Sequence, residues 1–201
     1  MPPATPHTSS RDRILDAALL VMRERGLAST TTKLIAAQAG LSEAMLYKHF
    51  ADKQQLFLSV LQERIPRASF DPPPAGSGDL AAGLTVLVAD LMGFFTRTFP
   101  IAASIFGAPT LLAEHREGVA THDGGPGTVI ESVQARLIAE QDAGRIRPDA
   151  DTGSAARVLV GAAFHQGFLA AFEGLDAVPD AERIAAGIVG VMLPALAPVP
   201  R

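Results

Sequence analysis

The stretch that most constrains this chain is Thr30–Lys53, TTTKLIAAQAGLSEAMLYKHFADK, which spells two short helices joined by a turn. Ser29, Thr30, Thr31 and Thr32 supply hydroxyls suited to capping a helix start. Leu34, Ile35, Ala36 and Ala39 give that helix its apolar face, and Gly40 ends it, since glycine accepts the positive φ of a tight turn. Ser42 then caps a second helix carrying Met45, Leu46 and Phe50. Two helices cross this closely only where the contact residue is small, and Ala36 meets that need. Leu41 plugs the junction, while Leu46 and Phe50 anchor the second helix. Its outward positions are polar or small: Ser42, Glu43, Ala44, Tyr47 and Lys48. A short helix held on a corner with an exposed polar face is the geometry of a helix-turn-helix that enters a major groove.

The flanks continue the helical pattern. Residues 1–8 are a Pro-rich arm. Ser9 or Ser10 caps a first helix, Asp12 suits its first turn, and Ile14, Ala17, Ala18, Val21 and Met22 recur at helical spacing until Gly26. Asp52 caps a fourth helix, with Gln55 placed to complete a capping box and Leu56, Phe57, Val60 and Leu61 as its stripe. Pro66 stops it. Pro72-Pro73-Pro74, Gly76 and Gly78 then mark a boundary. The predicted division is an arm at 1–8, a helix-turn-helix domain at 9–52, a connecting helix and linker at 53–78, and a larger helical domain at 79–201. Long helices are predicted near 79–98, 127–142, 151–172 and 180–193, with two shorter ones in 99–126. No segment alternates as a strand does, so the expected fold class is all-α.

Hydrophobic residues make up 48% and charged residues 19%, which supports packed cores rather than a disordered chain. The apolar run Ile184–Leu193 reaches Pro194 after ten residues, half of the ~20 that a membrane span needs. The N-terminus lacks the apolar segment of a signal peptide. These features predict a soluble, cytoplasmic protein with no membrane partner. There is no cysteine, which excludes disulfides, thiol catalysis and cysteine-ligated zinc. No nucleophile elbow, phosphate loop or carboxylate pair is present, so neither an enzyme nor a cofactor is expected. His115, His122 and Asp123 lack an ordered metal-ligand spacing and read as surface.

The net charge of −4 looks unfavourable for a DNA binder until its distribution is considered. Residues 1–65 carry eight Lys/Arg against six Asp/Glu, and residues 66–201 carry nine against fifteen. Lys33, Lys48 and Lys53 all fall in the helix-turn-helix stretch. A basic footprint needs only to be local.

The segment resembles the N-terminal domain of the TetR (tetracycline-repressor-like) family. The resemblance rests on Thr32, Ile35-Ala36, Ala39-Gly40-Leu41-Ser42, Leu46-Tyr47, His49-Phe50 and Lys53-Gln54-Gln55-Leu56, with Ile14, Ala17, Ala18 and Gly26 upstream. A weaker match, Gly144–Asp151, resembles the turn before the penultimate long helix in such proteins. The resemblance implies a homodimer that binds a palindromic operator in double-stranded DNA, commonly a repressor released by a small molecule. By motif position, Ser42, Glu43, Ala44, Tyr47, Lys48 and His49 would face the major groove or its phosphates. Thr32 and Lys33 would meet the backbone from the second helix, and Lys53 from the fourth. Glu43 is an acid at a DNA-facing position; it either accepts from a cytosine N4 amino group or points aside and caps its helix. Arg11 and Arg13 read as solvated surface.

In the larger domain, Phe94, Phe95, Phe99, Phe106, Phe164 and Phe168, with Phe172, concentrate the chain's aromatics. They form either an apolar effector site or simply a packed core. His165 and Gln166 interrupt an otherwise apolar helix and face either a ligand or their copies across a dimer interface. Asp90 shares a helix face with Asp79, Gly83, Val86, Gly93 and Arg97 and is expected to be exposed. Gly161, Ala162, Ala163, Gly167 and Ala170, with Gly187 and Gly190, would allow close helix approach in a four-helix dimer bundle. The alternative to a ligand-released repressor is a constitutive or activating regulator without an effector.

Overall fold

A computed structural model describes residues 9–64, 79–121 and 125–198, with only the backbone described for 118–121. Among the described residues the chain is all helical. The elements are α1 (Ser10–Ser29), α2 (Thr32–Ala39), α3 (Glu43–His49), α4 (Lys53–Glu63), α5 (Leu80–Phe106), α6 (Pro109–Thr121), α7 (Gly127–Asp142), α8 (Thr152–Phe172) and α9 (Ala181–Leu196). They form two compact units. One comprises residues 1–66 and 100–119, the other residues 67–99 and 120–201.

The N-terminal unit is built on capped helices. The Ser9 hydroxyl accepts from the Asp12 N–H at 3.1 Å, and Thr31, Ser42 and Asp52 cap α2, α3 and α4 in the same manner. α1 is interrupted at Gly26, whose φ of 70° and ψ of 166° are not helical. Beyond it Leu27 is buried, and the buried Thr30 donates its hydroxyl to the Gly26 carbonyl at 2.7 Å. Ile14, Leu15, Met22, Ile35, Leu46, Phe50, Leu56 and Val60 fill the core. Ile101 and Ile105 from the end of α5 and Leu111 from α6 belong to the same core. Residues 100–119 thus join the N-terminal unit, although the sequence break at 66–78 precedes them.

α5 runs through Pro100 instead of stopping near residue 98. Proline lacks the N–H that would serve the carbonyl four residues back, an interruption that costs about 3 kcal/mol. Burial of Ile101 and Ile105, each contributing about 1.5–3 kcal/mol, offsets it. α9 likewise continues past Pro194, because Leu196 is buried and its carbonyl accepts from the Arg147 N–H at 2.9 Å.

The second unit buries Leu84, Leu87, Val88, Leu91 and Met92 of α5 against Val133 and Leu137 of α7, Leu159 and Ala163 of α8, and Ala185 and Val189 of α9. The turn Gly144–Asp151 is closed by Gln141, whose side-chain amide donates to the carbonyls of Arg147, Pro148 and Ala150. Asp151 then caps α8 through the Ser154 N–H at 2.9 Å. Asp90, Val86 and Arg97 are exposed, as their shared face predicts. α5 and α8 are each long and apolar enough to cross a membrane by length and composition. In α8 the apolar content divides between a buried face and an exposed stripe.

Candidate nucleic-acid interface

The corner between α2 and α3 is closed by backbone geometry. Gly40 adopts φ 64° and ψ 36°, and its N–H reaches the Ala37 carbonyl at 3.1 Å while Leu41 N–H reaches Ala36 at 2.9 Å. Arg13 of α1 adds a further lock, donating from Nη2 to the Ala39 carbonyl at 2.6 Å. A cation at the last turn of α2 satisfies a terminal carbonyl and complements the helix dipole. α3 is thereby presented on a rigid corner, anchored by the buried Leu46 and capped by Phe50.

The exposed side of α3 carries Glu43, Ala44, Tyr47 and Lys48. At about 100° per residue these four share one arc of roughly 140°. His49 is also exposed but lies off that arc, its ring 6.4 Å from that of Phe50. Ser42 uses an oxygen lone pair to accept from the Met45 N–H at 3.2 Å, so its hydroxyl hydrogen can still serve an outside acceptor. Lys33 on α2 is exposed. Lys53 at the start of α4 is half-buried, with its ammonium 5.1 Å from the Phe57 ring centroid. Thr32 donates its hydroxyl to Glu43 Oε1 at 2.9 Å, so α2 and α3 are bridged by side chains as well as by the turn.

Arg11, which like Arg13 reads as solvated surface in the sequence, and Arg64 have partners elsewhere in the N-terminal unit. Arg11 makes a two-pronged pair with Glu63, both contacts at 2.7 Å, and lies over the Phe50 ring at 5.4 Å. Arg64 bonds Asp12 at 2.5 Å and Asp16 at 2.7 Å. These pairs tie the end of α4 to the start of α1. They hold Glu63, through Arg11, and Asp12, through Ser9 and Arg64, below the usual carboxylate range. Arg13 is thus engaged on α2, whereas Lys33 on α2 and Lys48 on α3 are exposed.

In the second unit the aromatic residues form a chain of rings between α5 and α8. Phe94 meets Phe95 edge-on at 5.2 Å, Phe95 meets Phe164 at 5.2 Å, and Phe99 meets both Phe164 at 5.7 Å and Phe168 at 5.2 Å. Phe172 extends the series at 6.1 Å from Phe168. Phe106 stands apart from this series, 69% exposed and in the N-terminal unit. His165 is exposed, its ring 6.4 Å from Phe168. It lies on a stripe of α8 with Val158, Gly161, Leu169 and Phe172, all exposed. The small residues of α8 separate into two sets. Ala163, Gly167 and Ala170 are buried against their own unit, whereas Gly161 faces outward with nothing near it, as do Gly187 and Gly190 of α9. His115 is half-buried, which lowers its pKa, and His122 and Asp123 lie outside the described residues.

A family model described as "Bacterial regulatory proteins, tetR family" matches residues 14–60, from the second turn of α1 to Val60 of α4. The helix-turn-helix segment is that of the tetR family. The HTH-type transcriptional repressor KstR2 of Mycolicibacterium smegmatis is 40% identical over 65 residues, covering 31% of this chain and 32% of that protein. The match thus spans about a third of that relative's length. The regulator UidR of Escherichia coli is 27% identical over 187 residues, 86% of each chain. A crystal structure of a TetR-family transcriptional regulator from Mesorhizobium loti is 20% identical, covers 97% of this chain and 100% of its own, and has a TM-score of 0.73. The TetR-family fold therefore extends over the second unit as well as the helix-turn-helix.

Sequence reasoning located the TetR-family reading head but missed what surrounds it. Arg11–Glu63, Arg64–Asp12 and Arg13–Ala39 join residues 26 to 52 positions apart, and no local pattern marks such pairs.

Proposed function

We propose that this protein represses transcription by binding a palindromic operator as a homodimer, and that a small apolar or aromatic molecule releases it. The observation that carries the reading is the α2–α3 corner, which holds Glu43, Ala44, Tyr47 and Lys48 outward on a short, anchored helix. Such a helix fits a groove about 12 Å wide, with its N-terminal residues nearest the base edges. Ser42, Lys33 and Lys53 serve as phosphate contacts around it, and His49 sits at its edge.

A second copy of the chain is the partner that fits the exposed stripes of α8 and α9. Val191 is 81% exposed and Phe172 79% exposed, on faces that also carry Val158, Gly161, His165 and Leu169 of α8 and Gly187 and Gly190 of α9. Pairing the two helices with their symmetry mates gives a four-helix bundle and a two-fold axis, which a palindrome mirrors. His165, at the middle of the α8 stripe, belongs to that interface in this reading. The effector sits against the rings of Phe94, Phe95, Phe99, Phe164 and Phe168 and acts by altering the spacing of the two reading heads, which must match about one helical turn, ~34–36 Å. A protein of this kind works in the cytoplasm.

Selection of bound DNA from a random duplex pool at near-physiological salt tests the reading. Recovery of an inverted repeat supports it and supplies the duplex for effector screening. Recovery of unrelated sequences removes it. An operator affinity that no apolar or aromatic compound changes would leave a regulator without an effector.

A further inference from the structure

We propose that Glu43 reads an amino-bearing base, cytosine above all, and that Thr32 is the residue that positions it. This rests on the DNA-binding reading given above. The two side chains lie on different helices, and the Thr32 hydroxyl donates to Glu43 Oε1 at 2.9 Å. Glu43 is exposed at the first turn of α3, the end of a recognition helix that lies closest to base edges. The other polar group at that turn, Ser42, spends a lone pair on the Met45 N–H and keeps its hydroxyl hydrogen for a phosphate, so it can donate but not replace the carboxylate as an acceptor.

A threonine hydroxyl has one hydrogen. While Glu43 takes it, Thr32 offers a phosphate only lone pairs, which a phosphate cannot use. Thr32 is therefore spent on orienting the carboxylate, and the backbone is met instead by Lys33 beside it. The bond bridges the helices and ties the exposed carboxylate to the corner through Oε1, leaving Oε2 for an outside donor.

An ionised carboxylate only accepts hydrogen bonds. On the major-groove edges the donors are the N4 amino group of cytosine and the N6 amino group of adenine. Adenine places the N7 lone pair beside its amino group, facing the second carboxylate oxygen. Cytosine places a C–H there, so it is preferred. Guanine and thymine present acceptors, and against them a carboxylate already repelled by the phosphates gains nothing. One negatively charged residue at this position thus weakens binding to every sequence except those that supply the amino group.

The test is selection from a random duplex pool with the full chain, followed by affinity measurement on the enriched duplexes. Wild type is expected to enrich one C·G pair of fixed orientation in each half-site, by roughly tenfold over the other bases. Glu43→Ala is expected to reduce that preference to within about twofold while leaving the other positions unchanged and tightening binding to unrelated DNA. Glu43→Gln is expected to shift the position toward adenine, which a carboxamide pairs at N6 and N7. Thr32→Val weakens the preference and Thr32→Ser restores it. An unaltered base profile for Glu43→Ala, or a repeat with neither cytosine nor adenine at any position sensitive to residue 43, overturns the proposal and leaves the regulator standing. Failure of wild type to enrich any sequence overturns both.

Discussion

Gly167 of α8 lies so close to Phe95 of α5 that a β-carbon at residue 167 would stand 2.6 Å from the Phe95 β-carbon and 2.9 Å from the Thr96 backbone nitrogen. The obstacles are backbone and the root of a side chain, so no rotamer change relieves them. The chain of phenylalanine rings begins at this crossing. Gly167→Ala should therefore separate the helices and destabilise the protein by about 1–3 kcal/mol, the range for overpacking a filled core. Gly161, on the same helix with nothing within 4 Å, is the matched control. In the dissociated protomer, Gly161→Ala should hold or raise the melting temperature, since alanine favours helix by about 1 kcal/mol. Equal losses from the two substitutions, measured by denaturant unfolding, would contradict the close crossing.

What the sequence made legible follows the range of the interactions. Capping by Ser9, Ser42, Asp52 and Asp151 is written within three residues, so those helix starts could be read directly. Gln55 shows the limit of that reading: its side chain reaches the Ala51 N–H at 2.5 Å, one residue before the cap. Pro100 and Pro194 misled for the opposite reason. Locally a proline ends a helix, yet Ile101, Ile105 and Leu196 are buried beyond them, and that tertiary term is invisible in a short window. Likewise the run Gly161–Ala170 announced close packing, but only the structure assigns Gly167 inward and Gly161 outward. For the candidate DNA face, the residue types were legible, while the Thr32–Glu43 bond that joins two of them was not.

Arg136 and Glu140 test how the second unit tolerates buried charge. Arg136 is 8% exposed and donates to the Gly83 carbonyl at 3.0 Å; its Nε has no hydrogen-bond partner among the described residues. Burial lowers its pKa, opposed by the charges of Glu140 and Asp90. Glu140 is 5% exposed and is also bonded by Arg145. Glu140→Gln breaks the ion pair with Arg145 and removes one of the two charges that favour the Arg136 guanidinium, and should destabilise by up to about 3–5 kcal/mol. Arg136→Met, which removes the charge but keeps the volume, should be close to neutral. Urea unfolding of both variants decides this, and a larger loss for Arg136→Met would reverse the assignment of the costly group.

The α1–α4 pairs should give the protein an acid-sensitive limb. Glu63 and Asp12 both have folded-state pKa values below their ordinary ones, the first through Arg11 and the second through Ser9 and Arg64. A carboxyl group shifted this way contributes its stability fully above its unfolded pKa, about 4, and loses it as pH falls through the folded value. Stability should thus hold from neutrality to about pH 5 and decline below about pH 4. Glu63→Gln should lower the urea midpoint at pH 7 slightly, since the pair is exposed, and should flatten the acid limb. A decline of unchanged steepness in Glu63→Gln would mean that other carboxylates carry it.

The salt dependence of DNA binding separates the cations that face the duplex from those that hold the fold. Each phosphate neutralised contributes about 0.9 to the slope of log K against log salt on duplex DNA. Lys33 and Lys48 are exposed around α3, so alanine at either removes one contact from each protomer of the dimer, should reduce the slope by about two, and should weaken binding to all sequences alike. Arg13 is committed to the Ala39 carbonyl and Arg11 to Glu63. Arg13→Ala should lower stability by about 1 kcal/mol, the worth of one hydrogen bond, and leave the slope of the folded protein unchanged. Titrations of the selected duplex at several salt concentrations, run below the melting temperature of each variant, give both numbers. If the slope falls for Arg13→Ala as much as for Lys48→Ala, Arg13 leaves the α2 carbonyl on binding and meets a phosphate, and the corner is held by Gly40 and Leu41 alone.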